Sequence, residues 1–216
     1  MTFATTLNRL SEFYGRHGLL STLRRGTIGI RRTFFSNRMA IFSCDLARLT
    51  APAVQMPSSV SVQRIPSLAA LAPGDLQQMT SFWNPTLAKQ NIRERFEKHS
   101  SLWLMKVKGT LAGYGWTLKG TSIEPYFFSL SQTDVHLYDF HVFPEFRGNG
   151  FNPLLVTFIL GSMAVEGSGR AFIEAAEWNT AQLSSLRKTP FRQVAWAKKV
   201  AHFPSPNCFV DRERCP

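Results

Sequence analysis

Apolar and polar side chains alternate with a period of two over residues 60–65, 102–107, 111–118, 135–143, 170–175 and 191–200, which predicts a strand at each. On the last of these, Val194, Trp196 and Val200 fall on one face. Elsewhere the period lengthens. Leu76, Met79, Phe82, Trp83, Leu87 and Phe96 predict helix over residues 75–98, broken at Asn84 and Pro85 because proline brings no amide hydrogen. Lys108, Gly109 and Thr110 close a hairpin between two strands. Residues 153–166 predict an apolar helix between Asn152, a suitable N-cap, and Gly167, suited to the C′ position. A short helix follows at 180–188, and residues 124–131 fit neither period. Strand, helix, hairpin, strand, helix, strand, helix, strand is a mixed α/β pattern.

The segment ahead of this pattern differs in character. Residues 1–49 carry Arg9, Arg16, Arg24, Arg25, Arg31, Arg32, Arg38 and Arg48, and residues 50–61 are proline-bearing and nearly uncharged. The expected division is therefore a basic N-terminal extension and linker over 1–59, followed by one catalytic domain over 60–216. Within the extension Leu7, Leu10, Tyr14 and Leu19 recur near helical spacing, and residues 38–46 read as a strand whose partner sheet the sequence does not identify. Phe34, Phe35 and Phe42 among the arginines could stack on bases or pack against the domain.

Composition narrows the classes. A chain of 216 residues with 44% hydrophobic and 12% aromatic content can bury a full core. No apolar run reaches the roughly 18–20 residues of a membrane span, and Arg9, Glu12, Arg16 and His17 interrupt the start as they would not in a secretory signal. Cys44, Cys208 and Cys215 are an odd set without paired short spacing, which suits neither a disulfide framework nor a metal site and points to the reducing cytoplasm. A net charge of +11 favours anionic partners without choosing among phosphorylated cofactors, nucleic acid and an acidic surface.

The chemistry concentrates in residues 142–152, Val-Phe-Pro-Glu-Phe-Arg-Gly-Asn-Gly-Phe-Asn. Gly148 and Gly150 can adopt positive φ, so that consecutive amides converge on an anion while the following helix adds its positive end and Arg147 a formal charge. The strand-to-helix turn could equally be structural. Its surroundings decide the weighting, because here the sequence resembles the GNAT acetyltransferase superfamily. That family's signature is Gln/Arg-x-x-Gly-x-Gly/Ala after a strand ending Val-x-Pro, matched by Val142, Pro144, Arg147 and Gly150. A second block, Asn followed by a short helix and a Phe before a strand, is matched by Asn179, Thr180, Ala181, Leu183, Lys188 and Phe191. The resemblance covers about residues 60–200. Departures are Asn152 for the last Gly/Ala, Leu186 for the usual tyrosine and Pro190 for the glycine before Phe191.

The resemblance implies a mostly antiparallel sheet flanked by helices, in which strands 135–143 and 170–175 splay around pantetheine held by the Val142 backbone. It implies acetyl-CoA as cosubstrate, no metal, and a binding set of Val142, Phe143, Arg147, Gly148, Asn149, Gly150, Phe151, Asn152 and Asn179. It implies direct transfer of an acetyl group to a small primary amine, an amino sugar being one candidate, with a base to neutralise the ammonium. Asp139, His141, His136 and Glu174 (with Glu177 further along) are the candidates; strand alternation puts Asp139 and His141 on one face and His136 on the other. Two rival readings stand beside this one: an inactive acyl-CoA-binding regulatory module, and a basic protein that binds nucleic acid or a membrane surface. Nucleic acid is not the expected partner, whereas the basic extension could touch an anionic surface.

Overall fold

The structure, a computed structural model, describes residues 38–49, 55–81, 84–124, 126–198 and 209–211, with a few positions between 14 and 27. The helical spacing expected around Leu7 and Leu10, the extension's Phe34 and Phe35, and Val200 lie outside the described residues. The strands are β1 (Arg38–Asp45), β2 (Val60–Ile65), β3 (Ser101–Val107), β4 (Thr110–Lys119), β5 (Val135–Val142), β6 (Arg170–Ala176), β7 (Arg192–Lys198) and β8 (Phe209–Asp211). The helices are α1 (Pro73–Ser81), α2 (Pro85–Glu97), α3 (Phe151–Val165) and α4 (Thr180–Leu186). Asn84 separates α1 from α2: its side chain accepts from the amides of Thr86 and Leu87 at 3.1 Å, and Pro85 opens the helix where no amide donor is needed.

All the described strands join one sheet in the order β2-β3-β4-β5-β6-β1-β7-β8. Only β5 and β6 run parallel, and the other pairs are antiparallel. The sequence assigned residues 38–45 to an extension outside the domain. The sheet corrects that placement: β1 bonds along both edges, to β6 and to β7, so the strand is internal to the sheet.

α3 covers one face. Leu155, Val156, Ile159 and Leu160 are fully buried against Val135, Leu137, Ala171 and Ile173, and each such side chain stabilises the fold by about 1.5–3 kcal/mol. α1 and α2 cover the other, placing Met79 and Ile92 with Leu102, Leu104, Trp116 and Tyr138. Of the three tryptophans in strand patterns expected in the core, Trp103 and Trp116 are buried and Trp196 is half-buried, while Ala195 and Ala197 rather than Val194 supply the buried face of β7.

Two irregularities place the site. β5 and β6 pair only through Val135–Ala171 and His136–Phe172 and then part, leaving a gap between their C-terminal halves. β5 also bulges. Trp116 faces Tyr138 and Tyr114 faces His141, so Asp139 and Phe140 together oppose the single residue Gly115. Asp139 takes φ +50° to do so, a conformation that Asp adopts more readily than most residues. β4 makes room with glycine: a Cβ on Gly115 would overlap the Phe140 ring, and one on Gly113 would lie 2.7 Å from the His141 carbonyl oxygen.

Candidate functional site

β5 runs out of the sheet into a short 3-10 turn, Pro144–Phe146, then Arg147, Gly148 and Gly150, and enters α3. Gly148 and Gly150 have φ of +83° and +75°, the left-handed values the sequence analysis assigned them. Gly150 itself is the N-cap, and no side chain caps the helix. The first-turn amides of Phe151 and Asn152 have no partner within the helix (Pro153 has no amide hydrogen and Leu154 bonds the Gly150 carbonyl), so they and the helix dipole present a ready anion site. This corrects the expectation that Asn152 caps a helix starting at 153. Asn152 lies inside the first turn and donates instead to Ser185 Oγ at 2.8 Å and Gln182 Oε1 at 3.2 Å, tying α3 to α4.

Between these elements lies a cleft of about 390 Å³. Val142, Arg147, Gly148, Gly150, Phe151, Asn152 and Asn179 of the expected binding set line it, as do His141, Gln182, Ser185 and Lys188. Asn149 braces the turn, its amide donating to the carbonyls of Phe146 and Arg147 at 3.1 and 3.3 Å. Phe143 turns into the opposite core against Tyr114. Arg147 folds its Nε onto the Val142 carbonyl at 3.0 Å, which holds its charge at the mouth of the turn. Asn179 caps α4, accepting from the Gln182 amide at 3.2 Å. Asn152 Oδ1 is buried beside this cleft without a hydrogen-bond partner, so it remains an acceptor with unused capacity. The donors, the dipole and the orphaned acceptor fit a phosphorylated coenzyme carrying amides.

The four candidate bases distribute unevenly. The bulge overturns the expected alternation: His136 stacks on Tyr138 at 5.2 Å and His141 on Tyr114 at 5.5 Å, and both tyrosines belong to the core under α1 and α2. His136 and His141 thus share a face. His136 Nε2 lies 3.0 Å from Glu174 Oε2 across the β5–β6 junction. Asp139 is ion-paired with Arg95 of α2, whose guanidinium sits over the rings of Trp116 and Tyr138 at 5.2 and 5.5 Å. Burial, and then the nearby charge of Arg147, push the His141 pKa below the usual imidazole range. Glu177 lies further out, 3.5 Å from Arg38.

Sequence reasoning missed Gln182 and Ser185, although their i, i+3 spacing on a helix whose Leu183 and Leu186 pack inward was visible. It also missed Tyr126, whose segment has no period. Leu186 is fully buried and belongs to the core. Cys44 is a buried thiol with its pKa raised to about 11 by burial, the neighbouring Asp45 adding to the rise. Among the described residues no group of His, Cys, Asp and Glu is placed to hold a metal ion, and no helix is long and apolar enough to cross a membrane.

Comparison with known proteins bears on this geometry. The family model described as "Acetyltransferase (GNAT) family" matches residues 68–188. Similar solved structures include a tandem GNAT protein from the clavulanic acid biosynthesis pathway, at 12% identity and TM-score 0.52, covering 78% of this chain and 55% of that one. A GNAT-family acetyltransferase from Colwellia psychrerythraea aligns at 15% identity and TM-score 0.51, over 72% and 52% of the two chains. A GCN5-related N-acetyltransferase from Sphaerobacter thermophilus aligns at 15% and 0.50, over 82% and 54%. At such identities the likeness is one of fold, and the chain spans about half the length of these structures. No curated protein matches the chain.

Proposed function

The chain belongs to the GNAT acetyltransferase family, and from that premise we propose that it transfers an acetyl group directly from acetyl-CoA to a primary amine of a small molecule. The observation that carries this reading is the uncapped N-terminus of α3 behind Gly148 and Gly150, opening on a cleft lined by the end of β5, where that strand has parted from β6. In it the first-turn amides and Arg147 bind the pyrophosphate, Lys188 adds a second cation, and the gap between the strands takes the pantetheine arm beside the Val142 backbone. Asn152 and Asn179 complete the lining from α3 and α4. An amino sugar is the acceptor class to try first, and the cytoplasm is the proposed setting.

Transfer needs a neutral amine, so an ammonium acceptor must give up a proton, and Asp139, His141, His136 and Glu174 are the candidate groups to take it. Protonation of the departing sulfur needs no dedicated acid. Leu186 cannot donate, and a thiol with a pKa of about 8.5 leaves as thiolate near neutral pH.

Titration calorimetry with acetyl-CoA, followed by mass spectrometry of products from a panel of primary amines, tests the proposal. Binding without turnover would leave an acyl-CoA-binding module, and the absence of binding at millimolar acetyl-CoA would refute the reading.

A further inference from the structure

Resting on the acyltransferase reading, we propose that Glu174 is the base that takes the acceptor's proton, and that His136, gripped between the rings of Tyr126 and Tyr138, is the residue that positions it. The candidates separate by what each already holds. Asp139 is committed to Arg95, and protonating it would strip the guanidinium of its counter-charge among the rings of Trp116 and Tyr138. His141 lines the coenzyme cleft, where Arg147 stands against a second positive charge. His136 is only 2% exposed and sits behind the sheet surface. Glu174 lies two residues past Phe172, the last β6 residue paired with β5, and its side chain is 22% exposed. It is the carboxylate at the point where the strands part.

The surroundings of Glu174 are built to hold it. The tautomer of His136 protonated at Nε2 donates to the carboxylate at 3.0 Å. That imidazole packs against two rings, Tyr126 at 4.9 Å and Tyr138 at 5.2 Å between ring centres, which restrict its rotation. Tyr138 is anchored in turn, its hydroxyl donating to Ser100 Oγ at 2.7 Å. Tyr126 arrives from the irregular connection between β4 and β5, wedged against Phe127, Phe128 and Phe172. Burial, then the charge of Glu174, raise the Tyr126 pKa well beyond the ordinary phenol range, so its hydroxyl, buried without a hydrogen-bond partner, stays neutral. His136 Nδ1 is buried without a hydrogen-bond partner, so Glu174 is the polar group that the ring engages. Facing Glu174 are therefore His136 from β5, Tyr126 from the connection and Ile41 from β1, with Asp139 and Arg95 paired to each other beyond.

The step balances with the groups named. The ammonium R–NH3⁺ gives one proton to the Glu174 carboxylate, the freed lone pair forms the N–C bond at the thioester carbon, and the C–S bond breaks with its electrons on sulfur. The second proton shed by nitrogen as the amide forms leaves to solvent or to the thiolate.

The test uses the full chain with acetyl-CoA and three amines, glucosamine, tyramine and putrescine, following thiol release. Glu174→Gln is expected to lower kcat about 100-fold or more and to abolish the acid limb of the kcat/KM profile. Its calorimetric Kd for acetyl-CoA should stay within about twofold, since Glu174 lies outside the coenzyme cleft. Tyr126→Leu frees the imidazole and should lower kcat roughly tenfold at unchanged acetyl-CoA affinity, whereas Tyr126→Phe keeps the ring and should stay within about threefold. His136→Gln should resemble Tyr126→Leu; if it fails to fold, the Tyr126 pair carries the positioning test. A Glu174→Gln enzyme that keeps its acid limb and most of its kcat overturns the base assignment, and equal rates for Tyr126→Leu and Tyr126→Phe overturn the positioning role. Wild-type protein that binds acetyl-CoA but acetylates none of the amines refutes the transferase reading itself, a result separable from either.

Discussion

The two sides of the gap between β5 and β6 are made of different material. On the α3 side the site is backbone: two glycines at positive φ, an uncapped helix end and a cationic rim of Arg147 and Lys188. On the α2 side it is paired side chains, His136 with Glu174 and Arg95 with Asp139, set among aromatic rings. The first arrangement needs only local conformational freedom. The second needs residues from four elements to arrive in register. A backbone site should therefore tolerate the loss of any one side chain as a graded loss of affinity, and a side-chain site should respond steeply to a single change.

The largest expected effect removes the frame that both sides share. Deleting residues 1–50 takes away β1, the strand bonded to β6 and β7, and should leave no cooperative thermal transition by circular dichroism. Next, Leu186→Ala opens a cavity where α4 meets the core and should lower stability by about 2–4 kcal/mol while kcat in the folded fraction falls less than about tenfold. A stable variant with collapsed kcat would instead put that position in the chemistry. Arg147→Ala should weaken acetyl-CoA by about 1–3 kcal/mol by calorimetry, without the all-or-none response expected at Glu174.

The smallest effect calibrates a paired carboxylate away from the gap. Asp134 is 1% exposed, and although burial alone would raise its pKa, hydrogen bonds from Arg170 (2.9 and 3.0 Å) and from Ser131 outweigh it and hold the pKa below the usual value. A carboxyl depressed in the folded state contributes stability above its unfolded pKa and loses it as pH falls through the folded one. Acid unfolding below about pH 4 should thus be shallower in Asp134→Asn than in wild type, measured by urea midpoints across pH.

Legibility in the sequence followed the same division. Gly148, Gly150 and Arg147 could be read directly because a left-handed turn before a helix is a property of a few adjacent residues. Even there Asn152 misled: its amide is a good cap in isolation, and only the arrival of α4 with Gln182 and Ser185 gives it better partners. The bulge at Asp139 was out of reach because it depends on Gly115 in another strand, and with it went the facing of His136 and His141. Tyr126 lay in a stretch with no period because its ring is oriented by the sheet beneath it. β1 was visible as a strand, but which strands flank it is decided far along the chain.

That last feature has a kinetic side. Asp45 pairs with Arg170 and Arg38 with Lys198, so β1 cannot find either neighbour until the distant strands β6 and β7 have been made. At ribosomal rates this is a wait on the order of ten seconds with both strand edges unsatisfied. The apolar centre of β1, Ala40-Ile41-Phe42, is therefore a segment that emerges well before its partners, flanked by Arg38 and Asp45 as charged guards. Closing so long a loop makes its insertion a late and slow event in refolding. In pulse-labelled hydrogen exchange the amides of β1 should gain protection after those of the β3–β4 hairpin, and aggregation during refolding should compete chiefly at the slot between β6 and β7 that β1 comes to fill.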